Sequence, residues 1–327
     1  MNILFCSVGR RSKLLSNFKD SNSDIKILAT DCSPYAPALY FADEQFISPR
    51  VDDPSYLPYI TDLCKNNNVR AITTLIDPEI ELLAKNRSYF IENNILPLCP
   101  SYETSLLCFD KFKMYEFLKK NNIDTVLTYD NLSDFKIGLE SKEIDFPVFI
   151  KPRTGSASVG AEKISDLSQL EEKFEANPQY GYIIQELMVG DDLDVDVYVD
   201  CMTNKPVAAF SKRKIETKIG GASKTISFKD EALFELVKEI VPKFEFYGPI
   251  DMDFFYRDGK YYLSEINPRF GGAYLHGYGA GVDFYKMIVN NVNGIENKES
   301  FGDYEEDIVM MMYDDVVIKH ESELAKS

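Results

Sequence analysis

The segment from Asp251 to Gly272 constrains the fold more than any other stretch of this 327-residue chain. Asp251-Met252-Asp253-Phe254-Phe255 leads into Arg257-Asp258-Gly259-Lys260, and Tyr261-Tyr262-Leu263-Ser264-Glu265-Ile266-Asn267 leads out. Asp-Gly between two such runs is a strong hairpin turn signal, because both residues tolerate positive φ. Alternate residues of a strand share a face, so Asp253 on one strand and Glu265 and Asn267 on the other can project from the same side. Three hard oxygen donors with open positions suit Mg²⁺, which keeps waters and takes its remaining ligands from substrate phosphates. The competing reading is an acidic hairpin facing solvent. It does not account for Asn267-Pro268-Arg269 followed by Gly271-Gly272.

Ahead of this hairpin, residues 1–100 read as short apolar strands at 3–6, 25–29 and 71–75, separated by helical patterns at about 10–16, 56–67 and 79–92. That alternation is the signature of a parallel sheet with helices on its faces, an α/β arrangement. Ser7-Val8-Gly9-Arg10 follows the first strand with a single glycine, which argues against a dinucleotide site, since several glycines are needed for close approach to a pyrophosphate. Ligands of open parallel sheets sit at the carboxyl ends of strands, which makes Gly9, Arg10, Asp31 and Asp77 candidate mouth residues; turn and cap roles explain them equally well. Pro97 and Pro100 mark a boundary, and 110–120 follows as a helix. An apolar strand ends in Lys151-Pro152, a Gly155–Gly160 loop follows, and Ile183-Ile184-Gln185-Glu186 leads through Gly190 into the strictly alternating Asp194-Val195-Asp196-Val197-Tyr198-Val199. Three units are expected, 1–105, 106–200 and 201–327, the last two being α+β lobes about a cleft. Its last part is expected to hold helices near 231–244 and from Asp283 onward.

Composition narrows the function. Lys plus Arg number 36 against 53 Asp plus Glu, a net charge of −17, which opposes binding to nucleic acid or to an anionic membrane surface. Six scattered cysteines without Cys-x-x-Cys, and only two histidines, read as reduced thiols and not as a zinc site. No apolar run reaches the roughly 18 residues of a membrane span, and Arg10-Arg11 follow the first strand without a signal-peptide pattern. The expectation is a reduced, cytoplasmic protein.

These motifs, in this order, resemble the ATP-grasp superfamily over about residues 1–300, in particular the branch of carbamoyl phosphate synthetase large subunits and biotin carboxylases. The resemblance implies an ATP-grasp fold: an N-terminal parallel-sheet (pre-ATP-grasp) domain, a small central lobe and a C-terminal lobe, with ATP in the cleft between the lobes. It implies that Lys111 and Lys151 reach the ATP phosphates, where a compact ammonium neutralises developing charge. The Gly155–Gly160 loop, with Ser156 and Ser158, matches the family's phosphate lid. Gln185, Glu186, Leu187 and Met188 correspond to the hinge whose backbone holds the adenine edge, and Asp192 stands where a ribose-binding acid, commonly Glu, is found; Asp191 is its alternative, and an ordinary acidic turn is the competing reading. By the same resemblance Asp253, Glu265 and Asn267 are Mg²⁺ ligands, with Mn²⁺ as an alternative ion, and Arg269 steadies the substrate carboxylate or acyl-phosphate oxygens through its two parallel donors. His276 reads as a wall residue or a general base. The cationic 211–224 segment reads as a pocket for an anionic substrate or as a solvated hairpin.

The implied reaction is ADP-forming. A carboxylate is activated as an acyl phosphate, and an amine then displaces phosphate to give an amide. Positioning and charge neutralisation dominate such chemistry, in keeping with Lys, Arg and metal ligands in place of a nucleophile with a His base. The expected partners are a small carboxylate and an amine, drawn from amino acids, peptides or sugar acids, and a homodimer is the expected assembly if one forms. Two rivals remain: a bicarbonate-activating carboxylase or carbamoyl-phosphate-type enzyme, and an ATP-binding regulator without turnover. The chain holds one ATP-grasp unit and no biotin-accepting Ala-Met-Lys-Met segment.

Overall fold

Strand β1 (Asn2–Cys6) has no exposed core position from Ile3 to Cys6, so it must lie inside a sheet covered on both faces. In a computed structural model, which describes residues 1–21, 24–155, 160–218 and 221–326, it does. After β1 come α1 (Ser12–Ser21), β2 (Lys26–Asp31), β3 (Glu44–Ile47), α2 (Tyr56–Asn66), β4 (Val69–Thr74), α3 (Asp77–Lys85), α4 (Arg87–Glu92) and β5 (Leu96–Pro97). The five strands form one parallel sheet in the order β3-β2-β1-β4-β5. The chain moves outward from β1 in one direction through β2 and in the other through β4. The carboxyl ends of β1 and β4 therefore flank a switch point, where ligands of such sheets bind. Residues 7–11 and 75–77 occupy those ends. The helical pattern expected at 79–92 is two helices, broken at Asn86.

Helices α5 (Tyr102–Phe109) and α6 (Lys111–Lys120) lead into a four-stranded sheet, order β6-β9-β7-β8, built from β6 (Thr128–Tyr129), β7 (Val148–Pro152), β8 (Glu162–Ile164) and β9 (Tyr182–Glu186). Its helices α7 (Leu132–Glu140) and α8 (Leu167–Ala176) close a separate core around Phe135, Val148, Ile150 and Leu170.

The remaining chain builds a six-stranded sheet in the order β14-β13-β10-β11-β12-β15. Its strands are β10 (Asp191–Val199), β11 (Pro206–Lys218), β12 (Gly221–Ser227), β13 (Gly248–Arg257), β14 (Lys260–Asn267) and β15 (Val309–Met311). Strand β10 pairs with β11 and β13 here, not with the four-stranded sheet that a boundary at residue 200 would give it. Its alternation explains why: Leu193, Val195, Val197 and Val199 enter the core of this sheet, packed near α9 (Glu231–Ile240) and α11 (Phe284–Val292), while Asp192, Asp194 and Asp196 point to the other face. Helix α9 buries Leu233, Phe234, Val237 and Ile240, a three-four spacing that keeps one face apolar. Helix α10 (Tyr274–Gly279) follows the Gly271-Gly272 corner.

Candidate active site

Hairpin β13–β14 turns through Asp258 and Gly259 at φ 52° and 79°, as an Asp-Gly pair permits. Cross-strand register sets Asp253 opposite Glu265 and Asp251 opposite Asn267. Simple alternation would fail to deliver this, because Leu263 has the same parity as Glu265 and is buried in the core. A bulge between Asp253 and Phe254 in the pairing, with Phe254 opposite Leu263, leaves Ser264 as the extra residue and turns Glu265 to the aspartate face. Core position Ile266, three residues after Leu263, confirms the switch of parity.

Two lysines meet Glu265. Lys111 begins α6, whose N-cap Asp110 accepts hydrogen bonds from the Phe112 and Lys113 amides. Arg153 just after β7 donates from Nε to Asp110 at 2.7 Å, and its carbonyl accepts from the Lys111 amide, so the start of α6 is fastened beside the end of β7. Lys111 Nζ lies 3.3 Å and Lys151 Nζ 3.9 Å from the two Glu265 oxygens, and Lys111 also donates to the Gly155 carbonyl at 2.7 Å. Burial pushes the Glu265 carboxyl up, but the two ammonium groups more than offset this and hold it below the ordinary glutamate range. Burial lowers the Lys151 ammonium.

Asn267 Nδ2 donates to Asp253 Oδ2 at 3.2 Å, and a half-turn of the amide would present Oδ1 there instead. With that turn, which gives up the 3.4 Å bond from Arg269 Nη2 to Asn267 Oδ1, Asp253, Glu265 and Asn267 present hard oxygen donors of the kind Mg²⁺ takes, and the residues fit the ion. Arg269 is held by Asp77, the first residue of α3, with Nε at 2.5 Å and Nη2 at 3.4 Å from its two oxygens. Of the four mouth candidates Gly9, Arg10, Asp31 and Asp77, Asp77 lines the cleft. Asp31 instead accepts from the Gly9 and Ser33 amides, and Arg10 lies exposed 3.7 Å from Asp314.

The hinge side chains have structural duties. Gln185 Nε2 donates to Thr128, and Glu186 accepts from the Leu127 amide and from Arg257. Leu187 and Met188 leave the strand half-buried. Asp192 is paired with Lys214 at 2.9 Å, and Lys214 also reaches Asp253 at 2.6 Å. Ser156 and Ser158 lie outside the described residues.

The basic 211–224 segment brings Lys214 to the cleft, while its described lysines and arginine are each paired with a carboxylate. Lys212 is fully buried and donates to Asp194 at 2.9 Å and to Asp196; Lys214 is paired as above, and Lys224 joins Glu216. His276 is buried, with Nδ1 2.7 Å from Thr225 Oγ1 and its ring against Phe210. Burial, and then the nearby Lys212 charge, pull its pKa down to about 4, which keeps the ring neutral at pH 7, and it does not line the cleft. The sequence reading passed over Arg11. Its Nη1 donates to the Gly271 carbonyl at 3.2 Å across 260 residues of chain. The signal available was its place after β1 at a switch point. A cleft of about 540 Å³ runs from Lys111 and Lys151 past Glu265 and Arg269 to Arg11 and Asp251.

Residues 108–273 match the ATP-grasp domain, and residues 3–98 match the PylC-like N-terminal domain. A D-alanine–D-alanine ligase of Clostridium botulinum (strain Okra / Type B1) is 28% identical over 180 residues, which span half of this chain and 58% of that protein. Among solved structures, the biotin carboxylase domain of Hydrogenobacter thermophilus 2-oxoglutarate carboxylase, in complex with MgADP, ADP and bicarbonate, is similar with TM-score 0.75 at 19% identity. It covers 94% of this chain and 73% of that one. An L-amino acid ligase from Bacillus licheniformis has TM-score 0.68 at 17% identity, covering 91% and 75%. No described helix is long and apolar enough to cross a membrane.

Proposed function

The chain belongs to the ATP-grasp family, and on that premise we propose that it is an ADP-forming carboxylate–amine ligase. One observation carries the reading: Lys111, Lys151 and Glu265 converge beside Asp253, Asn267 and Arg269 on the floor of one cleft. Asp253, Glu265 and Asn267 would hold Mg²⁺, which would screen the charge of the ATP phosphates.

In this reading the backbone of Gln185–Met188 borders the adenine, and Asp192, paired with Lys214, takes the ribose. Lys111 and Lys151, at the mouth of the cleft beside Glu265, would neutralise charge on the phosphate oxygens. Arg269, kept in place by Asp77, offers its remaining donors to the substrate carboxylate. A carboxylate oxygen attacks the γ-phosphorus in line, and the bond to the β-phosphate oxygen breaks to release ADP. The amine nitrogen then attacks the acyl carbon, phosphate departs, and the nitrogen loses a proton. No side chain forms a covalent bond; the residues bind, orient and neutralise. The ligases among the relatives, acting by name on D-alanine and on L-amino acids, support the reaction class.

ADP release from ATP and Mg²⁺ with pooled carboxylates, with and without pooled amines, tests the reading. The expected result is ADP only when both pools are present, falling at least about a thousandfold in Glu265→Ala. ADP with bicarbonate alone would replace it with a carboxylase, and AMP as the product would rule out the acyl phosphate.

A further inference from the structure

We propose that Arg11 forms a subsite for a carboxylate that does not react, carried either by the acid this protein activates or by the amine component. The two substrates are those of the ligase reading, on which that part of the inference rests; the subsite itself stands on geometry.

Arg11 and Arg269 both line the cleft, and their donors are spent differently. Arg269 gives Nε and Nη2 to Asp77, Nη2 again to Asn267 Oδ1, and Nη1 to the Phe270 carbonyl. Arg11 gives Nη1 to the Gly271 carbonyl at 3.2 Å. Among the described residues its guanidinium makes no other hydrogen bond and has no carboxylate oxygen within 4.0 Å, so most of its five N–H donors stay open. Lys111, Lys151, Lys214 and Arg269, which line the same cleft, each pair with a carboxylate. Arg11 does not.

Burial, and then the like charge of Arg269, pull the Arg11 pKa down to about 10, so the group stays cationic at pH 7 in a place that resists its charge. Asp251, Asp77 and Asp196 attract it only from beyond ion-pair distance, and Asp77 is already committed to Arg269. An arriving anion relieves both burdens. A carboxylate also matches the guanidinium fork with two parallel hydrogen bonds.

The fork is held in place and left uncovered. The Arg11 amide donates to the Val8 carbonyl and its own carbonyl accepts from the Leu14 and Leu15 amides, which fixes residue 11 where the chain passes from β1 into α1 at the switch point. Gly272 stands against it on the cleft wall, and a Cβ there would lie 3.5 Å from Nη1 and 3.9 Å from Nη2. That is ordinary contact, so alanine would fit without a clash and yet cover the end of the fork. A tie between domains needs only the Gly271 bond; it does not need the remaining donors turned to a cleft.

Position decides which anion belongs here. Lys111 and Lys151 meet Glu265 at one end of the cleft, Arg269 follows with the reacting carboxylate, and Arg11 lies past it at the Gly271-Gly272 corner. The phosphates of ATP belong to the lysine end, which leaves Arg11 for a second anionic group. A monocarboxylic acid joined to a plain amine would leave this charge unanswered.

Isothermal titration of the full chain with MgADP bound tests the subsite through two series: linear dicarboxylates against monocarboxylates of the same length, and α-amino acids against the amines left by their decarboxylation. In at least one series the member with the extra carboxylate is expected to bind about tenfold more tightly, and Arg11→Gln should erase that preference while MgADP affinity stays within about twofold. Erasure in the first series assigns the anion to the activated acid, and in the second to the amine component. If Arg11→Gln does not fold, Gly272→Ala, which covers the fork and keeps its charge, should erase the same preference. A purely structural tie would weaken every ligand alike and leave the preference intact. No binding in either series, no preference in either, or a preference that survives the substitution would overturn the subsite. An Arg11-dependent preference without ADP release from any acid and amine would overturn the ligase reading and leave the subsite standing; ADP release in which a monocarboxylic acid and a plain amine serve as well as their anionic counterparts would do the reverse.

Discussion

His276 illustrates how a single buried side chain sets the response of the protein to acid. Its folded pKa near 4 lies below the ordinary value of 6.5. As pH falls from 6.5 to 4, the unfolded chain takes up a proton that the folded one refuses, so stability is lost across that window and no further below it. The expected share is about 2–3 kcal/mol. Urea unfolding at pH 7 and pH 4.5 should show a smaller drop for His276→Gln than for the parent, and equal drops would refute the assignment. At this scale the sequence was partly legible. Lys111, Lys151, Glu265 and Arg269 announce themselves by charge at the end of an apolar strand, the start of a helix or a hairpin finish. Arg11 does not, because its partner at Gly271 is remote in sequence and close only after the domains pack.

Elements were read better where local chemistry decides them than where tertiary pairing does. The Asp258-Gly259 turn and the alternation of β10 follow from residue type, whereas the sheet to which β10 belongs depends on β11 and β13. The bulge at Ser264 was also legible in principle, since Leu263 and Ile266 are core residues three apart in one strand. Reading it required knowing that both are buried. Gly190, between β9 and β10, tests how tightly this junction is built. A Cβ there would lie 2.2 Å from the Tyr256 carbonyl oxygen, a backbone atom that cannot swing aside. Gly190→Ala should cost about 2–4 kcal/mol, measured as a lower urea midpoint at unchanged m-value. An unchanged midpoint would mean that the hinge has slack.

At the scale of the molecule, the ion pair between Asp77 and Arg269 joins the parallel-sheet domain to the hairpin lobe across 192 residues, with each side chain 14% exposed. Removing one partner of a shielded pair strands the other. Asp77→Asn should therefore lower the unfolding free energy by about 3 kcal/mol in urea titrations. It should also cut ADP release about tenfold or more, through kcat more than through the KM for ATP. A variant as stable as the parent and unaffected in turnover would make the pair incidental. The same division of labour bears on inheritance. Because Arg11 and Asp77 come from one module and Arg269 and Gly271 from another, a recombination event that exchanged the first hundred residues with those of a relative would remove one side of the contacts that join the cleft's two walls. The two modules must then diversify together, and a new specificity arises by paired change across their seam more readily than by shuffling.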